Sequence, residues 1–141
     1  MSYLLDTNVI SETIRRKPEP SVIEWFAQVP DDALYVSVLT LGELRRGVER
    51  LGDGRRRERL RIWLEHELAG WFGERVLPID AAVADRWGRL LGQIKRPAPS
   101  IDSLLAATAL HHELRFVTRN TKDFAYPGLE VVNPWKGETN R

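Results

Sequence analysis

Five short apolar runs are the feature of this chain that most restricts its fold: Ser2–Leu5, Leu34–Val36, Arg75–Ile79, Arg115–Val117 and Val131–Val132. Between the first four lie segments of helical period, at Asn8–Arg15, Ser21–Gln28, Thr40–Arg50, Arg55–Trp71, Ala81–Lys95 and Ile101–His112. Leu41, Leu44 and Val48 make one apolar stripe, and Leu60, Trp63, Leu64 and Leu68 another. Short strands that are apolar throughout, with helices between them, suit a parallel sheet covered on both faces. The segment "IDSLLAATAL" is apolar nearly all round after its first turn, so it is expected to be central, with Ala106, Ala107 and Ala109 letting it lie close to the sheet. The expected fold class is α/β, a three-layer α/β/α sandwich, and 141 residues suit a single domain spanning 1–141.

Composition narrows the function classes by exclusion. There are no cysteines, which removes disulfides and thiolate metal sites and fits a reducing cytoplasm. "MSYLLDTN" lacks the pattern of a signal peptide, and no apolar run approaches the ~20 residues that cross a bilayer. The formal net charge of +1 says little about partners, but "GRRRERLR" gathers Arg55, Arg56, Arg57, Arg59 and Arg61. Such a run is either a solvated helix start or a nucleic-acid contact. Trp25, Phe26, Trp63, Trp71 and Trp87 are core by default, and some of them are candidates for an interface.

The chemistry lies with four acids. In open parallel sheets ligands collect outside the carboxyl ends of the strands. Asp6 follows the first strand directly, and Glu43 opens the helix after the second. Asp123 sits in "TRNTKDF", the loop leaving the fourth strand, together with Thr118 and Asn120. Asp102 starts the apolar helix and reaches the same edge only if the "RPAPS" loop returns there. Each acid also has an ordinary structural reading. Thr40 and Glu43 have capping-box spacing, as do Ser21 and Glu24. Asp102 suits a helix dipole, and Asp6 and Asp123 suit turns. Together, however, clustered carboxylates repel unless a cation neutralises them. Oxygen-only ligands fit Mg²⁺ or Mn²⁺, the equipment of metal-assisted phosphodiester hydrolysis. Asn8, beside Asp6, would orient a water or substrate oxygen, or simply begin a helix.

"LLDTNVIS", "LTLGELRRGV", "IDSLLAATAL" and "TRNTKDF", in this order, resemble the PIN-domain family, and the closing "VVNPW" looks like the branch that holds VapC toxins and FitB proteins. The resemblance covers nearly the whole chain. It implies a Mg²⁺- or Mn²⁺-dependent ribonuclease whose catalytic and metal-binding acids are Asp6, Glu43, Asp102 and Asp123. It also implies a toxin that forms dimers and is silenced by a small antitoxin whose tail lies across the active-site groove. Three rivals remain. A histidine nuclease would rest on the adjacent His111 and His112. A receiver-like phosphoacceptor would rest on Asp80, Thr118 and Lys136. A PIN scaffold without catalysis would lack an acid, whereas all four are present.

Overall fold

The computed structural model describes residues 1–136. Its strands are β1 (Tyr3–Leu5), β2 (Leu34–Ser37), β3 (Val76–Leu77), β4 (Arg115–Val117) and β5 (Val131–Val132). They form one sheet in the order β3-β2-β1-β4-β5, and every pairing is parallel. Tyr3 lies opposite Leu34 on one side and Arg115 on the other, so β1 is the centre of the sheet. The chain builds outward from β1 to β3 and then crosses back to β4. A right-handed crossover travelling the other way must lie on the other face. The helices divide accordingly. On one face lie α1 (Thr7–Glu12), α2 (Pro20–Gln28), α3 (Val38–Glu49), α4 (Arg55–Ile62) and α5 (Ala69–Phe72). On the other lie α6 (Ala81–Gln93) and α7 (Ser100–His111). The result is the three-layer α/β/α sandwich.

The pleat of the sheet feeds two cores. Tyr3 and Leu5 of β1 join Val9, Trp25, Leu44, Leu68 and Phe72, while Leu4 between them joins Leu90, Leu105, Ala106 and Phe116. Leu4 and Leu5 are both wholly buried, each side chain adding about 1.5–3 kcal/mol of hydrophobic stabilisation. The small residues of α7 do what their size suggests: Ala106, Ala107 and Ala109 are completely covered. Among the described residues no helix is long and apolar enough to cross a membrane.

Three local expectations are corrected. Helix α3 begins at Val38, capped by the Ser37 hydroxyl, which accepts from the Leu39 N–H at 3.0 Å. The Thr40–Glu43 pair is therefore no capping box, and the buried Thr40 hydroxyl has no hydrogen-bond partner among the described residues. Helix α2 begins with Pro20 at its first position, so Ser21 is inside it, and its hydroxyl donates to the Trp135 carbonyl instead. The segment from 55 to 72 does not run as one regular α-helix. Residues Trp63–Leu68 widen into a π-helical stretch between α4 and α5. The apolar stripe placed a helix there correctly, but hydrophobic period alone does not report a local change of winding.

The capping assignment makes two opposite expectations. Ser37→Ala removes a cap and should cost about 1 kcal/mol. Thr40→Val replaces an unpartnered buried hydroxyl by a methyl of similar shape and should be neutral or stabilising by up to about 1 kcal/mol. Urea denaturation of both variants checks this. A Thr40→Val loss as large as that of Ser37→Ala would restore Thr40 as a polar contributor.

Candidate active site

The order of the strands reverses between β1 and β4, which makes a crevice at the carboxyl ends of these two neighbours. Asp6 stands there. Its N–H still pairs with the Val117 carbonyl at 2.9 Å, so the residue is held by the sheet. One carboxylate oxygen caps α1 by accepting from the Thr7 N–H at 2.8 Å. The other accepts from the Thr118 hydroxyl, at the end of β4, at 2.7 Å. The Asn8 amide nitrogen stands 3.4 Å from that same oxygen and 3.5 Å from the Thr118 hydroxyl. The Asn8 carbonyl oxygen accepts from the Arg119 N–H at 3.3 Å. The Asn120 backbone N–H donates to the Thr118 hydroxyl at 3.0 Å. Thus Asp6, Asn8, Thr118 and Asn120 form one hydrogen-bonded unit joining two strand ends.

Glu43 lies in the second turn of α3, since the helix starts earlier than its sequence pattern indicates. Its carboxylate accepts from the Thr7 hydroxyl at 2.6 Å. Thr7 is the positioning residue that sequence reading missed, because nothing in the spacing links two residues 36 positions apart. Asp102 arrives by the route on which it depended. Helices α6 and α7 pack as an antiparallel pair, with the Trp87 indole N–H donating to the Ser103 hydroxyl at 2.9 Å. The loop between them therefore returns to the site and starts α7 there, with Asp102 in its first turn. Asp123 is in the 3₁₀ turn Thr121–Phe124, whose Asp123 N–H donates to the Asn120 carbonyl at 3.0 Å.

The electrostatics of the four acids are coupled. Burial pushes the Asp6 carboxyl above its usual range. The bonds from Thr118 and Thr7 oppose that rise, and the charges of Glu43 and Asp102 add to it. Burial also raises Asp102, reinforced by Asp123 and Glu43. Every acid is thus within electrostatic reach of at least one other, and Asp102 is within reach of all three. Among the described residues, no three Asp, Glu or His side chains are drawn tightly enough to grip a bare ion on their own. The cluster is oxygen-only, and the like charges within it repel.

Beside Glu43 opens a cleft of about 900 Å³, with Leu44, Val48, Leu60 and Trp63 among its apolar lining and Arg15, Arg16, Lys17, Arg56 and Arg59 around it. The arginine run has two destinations. Arg57 pairs with Asp53 and Glu49, and Arg61 with Glu58 and Glu65, forming an exposed ion-pair chain. Arg56 and Arg59 face the cleft instead.

Neither residue-based rival is assembled. His111 and His112 close the far end of α7, ring centroids 4.7 Å apart, and burial lowers the His112 pKa. Asp80 caps α6 by accepting from the Val83 N–H and lies beside His112, at the opposite end of the helix pair from Asp102. The strand order also differs from the 2-1-3-4-5 order of receiver-type sheets.

Comparison with known proteins agrees with this geometry. The family model for the PIN domain matches residues 3–128. The chain is 36% identical to VapC ribonuclease Y4jK of Sinorhizobium fredii over 94% of its own length and 97% of the relative's. It is 37% identical to toxin FitB of Neisseria gonorrhoeae, again over 94% and 97% of the two chains. Among solved structures, FitAB bound to an IR36 DNA fragment superposes with a TM-score of 0.88 at 32% identity, covering 99% of this chain and 98% of the other. With this match across nearly its full length, and the strand order and acid-bearing edge already described, the chain belongs to the PIN-domain family.

Proposed function

We propose that this protein is a divalent-metal-dependent endoribonuclease, the toxin of a toxin–antitoxin pair, and that Asp6, Glu43, Asp102 and Asp123 form its catalytic site. The observation that carries the reading is the acid cluster at the strand reversal, with Asp6 pushed upward first by burial and further by the charges of Glu43 and Asp102. A site that holds mutually repelling carboxylates against their preference is built for a positive charge. The donor set is all oxygen, which fits Mg²⁺ or Mn²⁺. An ion of this kind keeps several of its own waters and takes only one or two carboxylates directly. When bound, such an ion supplies the charge that activates water and stabilises the phosphoryl oxygens.

The chain's own residues have separate tasks in this reading. Asp6 is the most rigid acid, fixed by the sheet, by Thr7 and by Thr118. Thr7 aims Glu43 into the site, and α7 delivers Asp102. Asp123 is the most exposed acid and the one able to approach a substrate-bound ion with least rearrangement. Asn8 orients Asp6 and Thr118, while Asn120 contributes its backbone N–H. The relatives named ribonuclease and toxin support RNA as substrate and the toxin role. The likeness to FitAB and to a toxin–antitoxin complex from Klebsiella pneumoniae supports an antitoxin partner in a hetero-oligomer; a homodimer of this chain and a cytoplasmic setting complete the proposal. The cleft beside Glu43, apolar in its floor and basic at its rim, suits an antitoxin segment bearing apolar and acidic side chains.

Three outcomes are expected. The purified chain, free of antitoxin, should cut RNA with Mg²⁺ or Mn²⁺ and stop in EDTA. Glu43→Gln keeps the acceptor for Thr7 but deletes the charge, and should slow cleavage about a hundredfold or more while leaving the metal-free melting temperature near that of wild type. Cleavage that persists in EDTA would contradict the metal requirement. The third outcome concerns pH. Because the folded pKa of Asp102 is raised above the ordinary value of 3.8, folding is favoured by its protonation below that value, and this contribution is lost as pH rises through the raised folded value. In EDTA, the melting temperature of Asp102→Asn relative to wild type should therefore increase as pH climbs from about 4 into the neutral range. A difference that stays flat, or runs the other way, would mean that Asp102 is not under strain.

A further inference from the structure

Four carboxylates repel the phosphates of RNA as well as one another, so a substrate strand needs cations placed beside them. Most of the arginines with defined contacts are occupied. Arg15, Arg45, Arg57, Arg61, Arg89 and Arg115 each pair with an acid. Arg75 lies over the Phe72 ring but directs its guanidinium at the carbonyls of Asp31, Leu34 and Trp71, a structural clamp.

Arg96 and Arg119 are different. Arg96 lies in the loop that delivers Asp102 to the site, its guanidinium carbon 4.8 Å from the centroid of the Tyr126 ring. One of its nitrogens donates to the Ala125 carbonyl at 3.0 Å, two residues past Asp123. Arg119 directly follows Thr118 and lies 5.3 Å over the Trp135 ring. Both aromatic platforms are themselves fixed. Tyr126 is 4% exposed, and the Trp135 N–H donates to Asn133 at 3.0 Å while its carbonyl accepts from Ser21 at 3.2 Å. Both arginines are exposed, and no acid among the described residues pairs with either. A stacked guanidinium keeps most of its N–H groups outward in a fixed plane, which matches the bidentate geometry of a phosphate. The Tyr126 beneath Arg96 is within electrostatic reach of Asp102 and Asp123, and the backbone N–H of Arg119 donates to Asn8 beside Asp6.

We propose that Arg96 and Arg119, each resting against an aromatic ring, bind the RNA phosphates adjacent to the one that is cut, and so position the strand across the acid cluster. This rests on the ribonuclease reading above. The test is equilibrium binding of a fluorescent single-stranded RNA 12-mer across a range of salt, with Arg96→Ala, Arg96→Lys, Arg119→Ala and the surface control Arg89→Ala all placed in the slow-cutting Glu43→Gln background and measured in EDTA. Each of the two alanine variants should weaken binding about tenfold and lower the salt slope by about 0.7 to 1, with unchanged melting temperature. Arg96→Lys should recover part of the affinity, because it keeps the charge and loses the planar fork, and Arg89→Ala should change nothing. Unaltered affinity and slope, a background protein that binds no RNA, or weaker binding with an unchanged slope and a lower melting temperature would each overturn the proposal. The nuclease reading is judged separately, by whether wild type cuts the same RNA with Mn²⁺.

Discussion

The buried hydrogen bond from the Thr118 hydroxyl to Asp6, 2.7 Å long, is the contact on which the site depends. It joins the ends of two neighbouring strands at the place where strand order reverses, so a feature of topology becomes a chemical position. Without that donor, a carboxylate that is 8% exposed and flanked by other acids would have little reason to stay ionised where it is. With it, Asp6 is fixed at the end of the central strand of the sheet. Around it Thr7 performs two tasks at once, capping contact through its N–H and aiming of Glu43 through its hydroxyl. Two acids from distant parts of the chain are thus set by one residue beside a strand end.

The two faces of the sheet have different duties. The larger layer, α1 to α5, carries the cleft beside Glu43 and the arginine run. The smaller layer is the antiparallel pair α6–α7, and its contribution to the site is one helix start bearing Asp102. The close packing allowed by Ala106, Ala107 and Ala109 keeps that helix against the sheet and fixes where Asp102 stands. Strain among the acids is the cost of such an arrangement, and the fully covered core beneath it offsets that cost.

How much of this could be read from residues differs by element. The strands showed clearly as short apolar runs, and β4 and β5 fall at the expected residues, while β3 is shorter, Val76–Leu77 in place of Arg75–Ile79. Helix starts were harder. The spacing of Thr40 and Glu43 pointed to a cap at Thr40, with the helix starting there. The structure uses Ser37 and leaves Glu43 to Thr7. Asp6 and its neighbours in the sequence were legible, as local residues at a strand end are. The position of Asp102 was conditional on a loop path, and it took the antiparallel packing of α6 on α7 to resolve it. The stacking of Arg96 on Tyr126 and of Arg119 on Trp135 had no sequence signal, since each pair meets across a tertiary contact.

The claim that the four acids are arranged for a divalent cation is open to a direct measurement. Crystals of the antitoxin-free protein soaked in Mn²⁺ and recorded at the manganese absorption edge would show the ion by its anomalous signal. One strong peak is expected among Asp6, Asp102 and Asp123, with Glu43 reaching it directly or through a water, and it should vanish in Asp6→Asn. No peak there at millimolar Mn²⁺, or a peak that persists unchanged in Asp6→Asn, would contradict the assignment of this cluster as the metal site.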